Sequence, residues 1–366
     1  MSRRALALSV ALAVCGSAFG LALSEVALRA HRAFMGGTEA GAAFIERDTR
    51  LGWRAKANYQ YRYRIEDANH KGQMITYSSV AGGFRLFGNA KSTGPKLLVI
   101  GDSFTQATSV STADTYQALL GKALDVRVYS YGASGFGTLQ ELMVLEDVIE
   151  QIDPDIVLLQ FCTNDFINNS FRLESKSTLN NNRMVRPYLT AGGTVYYGNP
   201  TQNPTLTALM ERSQLVQLLV RRLFAHRGES IEYVIGRDPG NQDFQASVSA
   251  TRVLLQRFRG VVGKKRTMFI FLADGAPTRV RTLPPEYQAY SAVAEKAVMG
   301  ILASLPITII GGIPEAVAEA DARGLAVTGA DGAHWNEIGH RTVASALSER
   351  LRPYLKDRRS PHVSVR

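Results

Sequence analysis

From residue 5 to residue 23 the chain is apolar apart from small residues such as Ser9, Gly16, Ser17 and Gly20, and Arg3 and Arg4 stand just ahead of the run. As a helix that stretch spans roughly 30 Å, enough to cross a bilayer. Between 35 and 95 the chain shows short alternating segments such as Tyr59-Gln60-Tyr61-Arg62-Tyr63-Arg64, the rhythm of half-buried strands and loops rather than of a separate domain. From residue 96 onward apolar runs alternate with helical patterns. Strands are predicted at 96–100, 126–130, 156–161, 267–272 and 307–310, and helices at 112–124, 138–149, 244–258, 286–305 and 336–354. The run 156–161, opened by Pro154 and Asp155, is apolar without interruption, as a strand covered on both faces is. Between 166 and 240 the alternation lapses. There 185–190 and 194–197 flank Ala191-Gly192-Gly193 as a predicted hairpin, and 206–224 reads as a helix.

Strands alternating with helices predict a parallel sheet with helices on both faces. The expected organisation is a signal anchor over 1–33, an extension packed on the main domain over 34–94, that three-layer α/β/α domain over 95–355 with an insertion at about 166–240, and a basic tail over 356–366. In such sheets ligands gather at the carboxyl ends of the strands, so chemistry is expected from the residues just beyond them.

With 366 residues, 45% of them hydrophobic and 20% charged, the chain reads as globular. Part of its net charge of +10 belongs to the tail, which holds Arg350, Arg352, Lys356, Arg358, Arg359 and Arg366. A solvated or membrane-surface tail accounts for these better than a nucleic-acid site. The two cysteines, Cys15 and Cys162, build no disulfide framework and leave the compartment open. At the N-terminus an uncleaved anchor competes with a cleaved signal peptide, for which Gly16-Ser17-Ala18 offers a small-x-small site. The apolar pattern continues through Val26, Ala27 and Leu28, so the anchor is the expectation and secretion after cleavage the alternative. Val14 argues against a lipoprotein site at Cys15, and Ser2-Arg3-Arg4 is a weak hint of twin-arginine export. Arg29 and Arg32 balance Arg3 and Arg4 and leave orientation open by charge counting. From the export-like start, the main domain is expected outside the cytoplasm, in the cell envelope or periplasm.

Gly101-Asp102-Ser103 follows a buried strand directly, which would expose the Ser103 hydroxyl at the sheet edge. Such a hydroxyl is a weak nucleophile until a neighbouring base takes its proton. By average composition this tripeptide occurs by chance in roughly one chain in ten of this size. Asp331 and His334 stand three residues apart in a Gly-containing loop before the last helix. That spacing lets the carboxylate hold one ring nitrogen while the other faces outward as a base; a helix cap is the plain alternative. Donors for an oxyanion are available in Ser134-Gly135-Phe136-Gly137 and in Thr163-Asn164-Asp165, though each segment taken singly is more simply a turn.

Taken together and in this order, Gly-Asp-Ser, a Gly-rich turn, Asn-Asp and Asp-x-x-His resemble the SGNH, or GDSL, hydrolase superfamily, over residues 95 to 350. The resemblance implies a flavodoxin-like fold, Ser103 as nucleophile, and Asp331 and His334 as its partners. It implies an oxyanion hole from the backbone of Ser103, the backbone of Gly135 and the Asn164 side chain, with Asp102 holding the turn. Two departures stand out: Cys162 where the third block commonly has glycine, and Ser130 where an asparagine often precedes the second. Leu51-Gly52-Trp53, Gly82-Gly83-Phe84-Arg85 and the anchor with Glu25 and Arg29 resemble those of membrane-anchored bacterial members.

An α/β-hydrolase elbow is excluded because Ser103 is not within Gly-x-Ser-x-Gly. Gly132, Gly135 and Gly137 do not spell a dinucleotide fingerprint, and no phosphate loop or grouped metal ligands are found. The expected protein is therefore an esterase without cofactor or metal. It would hydrolyse esters, with O-acetyl groups of envelope carbohydrate as the substrate guess, and would bind no nucleic acid. Two alternatives stay open. An O-acyltransferase would use Phe166, Phe171, Tyr188, Tyr196 and Tyr197 as an acceptor flap, though a core under the insertion explains these rings as well. A non-catalytic envelope scaffold or glycan-binding protein would keep only the fold.

Overall fold

The structure, a computed structural model, describes residues 3–34, 43–65, 72–88, 94–201, 229–275, 285–329 and 331–359, with scattered positions between 205 and 219. It divides into two compact units. One, Met1–Ala43 with Thr201–Glu229, carries the long helix α1 (Arg3–Phe34). Within α1 the stretch Leu12–Ala30 has mean hydropathy 1.4, is unburied and is long enough to cross a membrane; a signal sequence meets the same test. Near its end the Glu25 carboxylate accepts from Ser213 Oγ at 2.8 Å and from the N–H groups of Gln214 at 3.0 Å and Leu215 at 2.9 Å. A carboxylate at the start of a helical turn satisfies donors that the turn itself leaves open. The helix expected at 206–224 is described only in part, and its described residues are helical apart from Ser213.

The other unit, Phe44–Pro200 with Ser230–Arg366, holds three hairpins and one large sheet. The hairpins pair β1 (Ile45–Asp48) with β2 (Gly52–Ala55), β3 (Gln60–Ile65) with β4 (Gln73–Ser78), and β9 (Arg186–Leu189) with β10 (Val195–Gly198). The large sheet consists of β5 (Arg85–Phe87), β6 (Lys96–Gly101), β7 (Arg127–Gly132), β8 (Ile156–Phe161), β11 (Thr267–Leu272) and β12 (Thr308–Ile309). Their order is β12-β11-β8-β6-β7-β5. Only the edge strand β5 runs antiparallel.

The remaining helices are α2 (Ser103–Gln106), α3 (Tyr116–Leu124), α4 (Thr138–Ile152), α5 (Asp165–Asn168), α6 (Phe171–Glu174), α7 (Ile231–Arg237), α8 (Gln242–Val262), α9 (Pro285–Leu302), α10 (Ile313–Ala322) and α11 (Glu337–Arg359). Successive residues of β8 serve two cores. Ile156 and Leu158 meet α3, α10 and α11, whereas Val157, Leu159 and Phe161 meet α4, α8 and α9. Each is at most 1% exposed, and burying such a side chain contributes about 1.5–3 kcal/mol. This two-sided cover is why the strand reads as an unbroken apolar run.

Several boundaries differ from expectation. The helix expected at 112–124 is a 3-10 turn (Thr112–Asp114) followed by α3, because Thr115 is extended (φ −71°, ψ 151°) and its side chain caps Ala118 N–H. Helices α7 and α10 were not expected, and the last helix runs on to Arg359.

The winding determines where a ligand can enter. From β6 the chain passes to β7 on one side, while β8 leads to β11 and β12 on the other. The switch point therefore opens beside the carboxyl ends of β6 and β8. Gly101 ends β6 there, with space only for hydrogen: a Cβ would lie 2.3 Å from Gln160 Oε1 and 2.5 Å from Thr105 Oγ1. Gly101→Ala is expected to cost about 1–3 kcal/mol through overpacking, read as a lower urea midpoint at unchanged slope. A wild-type midpoint would contradict this packing.

Candidate active site

Asp102, wholly buried, accepts the Phe104 N–H at 3.0 Å and starts the single turn of α2. The turn closes at Ala107, which takes a left-handed conformation (φ 49°) and donates its N–H to Ser103 O at 2.8 Å. From β8, Gln160 Oε1 accepts the Asp102 N–H at 3.2 Å and Thr105 Oγ1 at 2.8 Å. Both sides of the turn are thus pinned, and Ser103 is left half-buried at the crevice.

The Asp331–His334 segment is held as firmly. Asn336 Oδ1 accepts the N–H groups of Ile338 and Gly339 at 2.9 and 3.1 Å, and its amide reaches Ala326 O and Thr328 O. Gly332 takes φ 68°, a conformation that favours glycine. It lets Asp331 Oδ1 accept the N–H groups of Ala333 at 2.9 Å and His334 at 3.0 Å. The other oxygen, Oδ2, lies 2.5 Å from His334 Nδ1, and His334 Nε2 lies 2.8 Å from Ser103 Oγ. The Phe104 ring packs on the imidazole at 4.9 Å between centroids.

Burial opposes the charged form of His334, but the hydrogen bond and charge of Asp331, reinforced by Asp102 and Asp274, outweigh it and raise its pKa above the ordinary 6.5. Burial likewise opposes the Asp331 carboxylate, and the His334 bond with two backbone N–H groups still holds its pKa below the usual range.

Gly135 lies beyond β7 with φ 75°, and Asn164 beyond β8 at the N-terminus of α5. Since β6 pairs with both strands (Gly101 opposite Gly132, Ile100 opposite Leu159), these positions flank Ser103. Among the described residues neither the Ser103 nor the Gly135 N–H is engaged, so both remain available as donors.

Two groups of acids lie beneath the site. Asp274, just past β11, accepts from the Thr163 N–H at 2.8 Å and from Thr163 Oγ1, fixing the block that holds Asn164. Glu141 and Asp165 are fully buried with Asp102. Burial first, and then the charge of Asp102 on Glu141 and of Glu141 and Asp102 on Asp165, pushes both acids well above the usual carboxylate range, so they favour the protonated form. Asp274 and Asp165 each lie just past a predicted strand and could be singled out on that ground; Glu141, inside a helix, carries no such signal.

The sequence matches the model of the GDSL-like lipase/acylhydrolase family over residues 99–342, more than half of the chain. The chain belongs to the GDSL-like lipase/acylhydrolase family. It is accordingly a serine hydrolase acting on esters, and the parallel sheet described above is that family's fold. None of the curated proteins matches significantly. Solved structures similar to this hydrolase include a member of the lipolytic G-D-S-L family from Veillonella parvula (15% identity, covering 69% of this chain and 96% of that one, TM-score 0.40). Others are a catalytic mutant of an acetylxylan esterase from Geobacillus stearothermophilus (14%, 71% and 95%, 0.39) and a family 3 carbohydrate esterase from Clostridium thermocellum (15%, 72% and 98%, 0.39).

Of the remaining histidines, His340 is buried and accepts the Tyr116 N–H on Nδ1 at 3.2 Å; His70, His226 and His362 lie outside the described residues. The aromatic residues of the insertion divide in two. Phe166 and Tyr188 are core, the first packed between Phe161 and Phe244, whereas Tyr196 and Tyr197 are 41% and 46% exposed.

Beside the hydrolase site sits a buried ion pair, Arg186 Nε with Glu174 Oε2 at 3.2 Å, both side chains fully covered. Burial pushes the Glu174 carboxyl up even with Arg186 beside it. Arg186→Ala would strand that group without a countercharge, with neutral donors such as the Tyr188 hydroxyl at 3.0 Å and the Asn182 N–H at 3.2 Å still in place. A loss of about 3–5 kcal/mol is expected in equilibrium unfolding; a loss below about 1 kcal/mol would show the pair to be dispensable.

Proposed function

We propose that this hydrolase cleaves esters through an acyl-Ser103 intermediate, with His334 as base and Asp331 as its orienting carboxylate. The observation that carries the reading is the continuous contact from Asp331 Oδ2 through the imidazole to Ser103 Oγ, 2.5 Å and 2.8 Å. His334 Nε2 takes the hydroxyl proton as Ser103 Oγ bonds to the ester carbonyl carbon. The carbonyl oxygen becomes an oxyanion, for which the N–H groups of Ser103 and Gly135 and the Asn164 amide are the proposed donors. The C–O bond to the alcohol then breaks, and the imidazolium returns its proton to the leaving oxygen. Water, deprotonated by the same nitrogen, attacks the acyl-serine and releases the acid, which restores Ser103.

For substrate we propose O-acyl groups, acetyl among them, on carbohydrate of the bacterial cell envelope. The support is the apolar helix at the N-terminus, which is long enough to act as anchor or signal sequence; a catalytic domain outside the cytoplasm is part of the proposal. Incubation of the full chain with acetylated envelope polysaccharide, with and without a free sugar acceptor, tests this. Free acetate in both incubations and no acetylated acceptor is the expected result. An acetylated acceptor at the expense of free acid would make the protein an acyltransferase, and no release from any carbohydrate ester would refute the substrate class.

A further inference from the structure

The N-terminal extension reaches the oxyanion site through one indole. Trp53, on β2, is fully buried. Its Nε1–H donates to Ser134 O at 2.9 Å. In a trans peptide the C=O and N–H of one plane point in opposite directions, so a bond to Ser134 O fixes where the Gly135 N–H points. That N–H is one of the donors assigned above to the oxyanion, and the present inference rests on that assignment.

The same turn is gripped at its other polar atoms. Ser134 N–H and Oγ both donate to Gln106 Oε1, at 2.8 and 2.6 Å, from the turn after Ser103. The Gly135 carbonyl accepts from Arg186 Nη2. Arg186 in turn lies over the Trp53 ring, 4.6 Å from its centroid, and pairs with Glu174. The extension and the insertion can meet here because Gly52 has no side chain: a Cβ would stand 2.1 Å from Val185 O. A flat ring and a planar cation, from two segments distant in sequence, thus bind successive carbonyls of one turn, Ser134 O and Gly135 O.

We propose that Trp53, with Arg186 stacked on it, is a positioning residue that aims the Gly135 N–H at the developing oxyanion. This gives the Leu51-Gly52-Trp53 segment a part in the reaction. Trp53 touches neither nucleophile nor base, and its effect passes through the Ser134–Gly135 peptide. Losing the hydrogen bond frees that peptide to turn, and misdirecting an oxyanion donor weakens transition-state binding more than ground-state binding.

Two replacements in the full chain test this. Trp53→Phe keeps a ring under the guanidinium and removes the N–H. Trp53→β-(3-benzothienyl)alanine keeps the bicyclic shape and puts sulfur in place of the N–H, so it separates the hydrogen bond from packing. Both are expected to lower kcat for a simple ester about tenfold to a hundredfold. KM should stay within about twofold, and the acid limb of the pH profile should not move because His334 and Asp331 are untouched. Wild-type kcat in both variants would overturn the positioning role while leaving the serine mechanism intact. A loss confined to Trp53→Phe would assign the effect to ring packing and overturn it too. A wild-type protein without Ser103-dependent turnover would overturn the reading of the site, and this inference with it.

Discussion

Ser103→Ala is expected to lower kcat for ester hydrolysis by a factor of about ten thousand to a million while the fold survives. The size follows from what remains. Oxyanion donors and substrate contacts persist in the variant, so turnover falls to what these achieve with water as the direct nucleophile. Survival of the fold follows from the local contacts. The Ser103 hydroxyl makes one described hydrogen bond, to His334 Nε2, at a half-buried position, and losing it costs about 0.5–1.5 kcal/mol. The turn itself is held by Asp102 and Gln160. Turnover and a thermal melt on one preparation check both parts: a large loss of activity with a melt near wild type is expected, and retained activity would remove Ser103 from the mechanism.

Asp331→Asn is expected to cost about ten-thousandfold in kcat/KM at neutral pH and to move the pH profile. The base works only when neutral, so kcat/KM falls as pH drops through the pKa of His334. In the wild type that pKa is raised above 6.5, burial being outweighed by Asp331, and the acid limb lies correspondingly high. An amide at 331 supplies no negative charge, so burial prevails and the limb shifts to lower pH. The plateau also falls, because the imidazolium formed during attack loses its partner. Rates from about pH 5 to about pH 9 test the sign. A limb that stays in place, or moves upward, would contradict the assigned coupling.

The sheet was legible because its central strands obey one physical rule. Residues 156–161 and 267–272 were delimited correctly from sequence, as buried strands whose alternate residues feed two cores. Elements that obey no single rule were lost. Helix α10 begins Ile313-Pro314 after Gly311-Gly312, and two glycines with a proline close behind read as a loop, although proline suits a first helical turn. Helices α5 and α6 have four residues each, too few for a period. Side chains bind their ends, locally where the Ser170 hydroxyl caps Leu173 N–H and from afar where Thr138 Oγ1 donates to Asp165 Oδ2 at 3.0 Å.

At the site, Ser103, Asp331, His334, Gly135 and Asn164 could be singled out because each sits at a strand end or in a short motif. The parts that hold them could not. Gln160 looks like one polar residue inside an apolar strand, yet it braces the nucleophile turn. Trp53 and Arg186 are far apart in sequence and meet only when extension and insertion fold on the same turn. A buried arginine also defies expectation from sequence, since its cost is offset only by partners, Glu174, Asn168 O and Gly135 O, that the fold brings in.

The most direct test of the proposed nucleophile is covalent. A fluorophosphonate ester requires an activated serine, since the serine oxygen displaces fluoride at phosphorus. Treated with it, the wild-type chain should gain one adduct, located by peptide mass spectrometry on Ser103, and Ser103→Ala should gain none. Equal labelling of both proteins, or an adduct on another residue, would contradict the account.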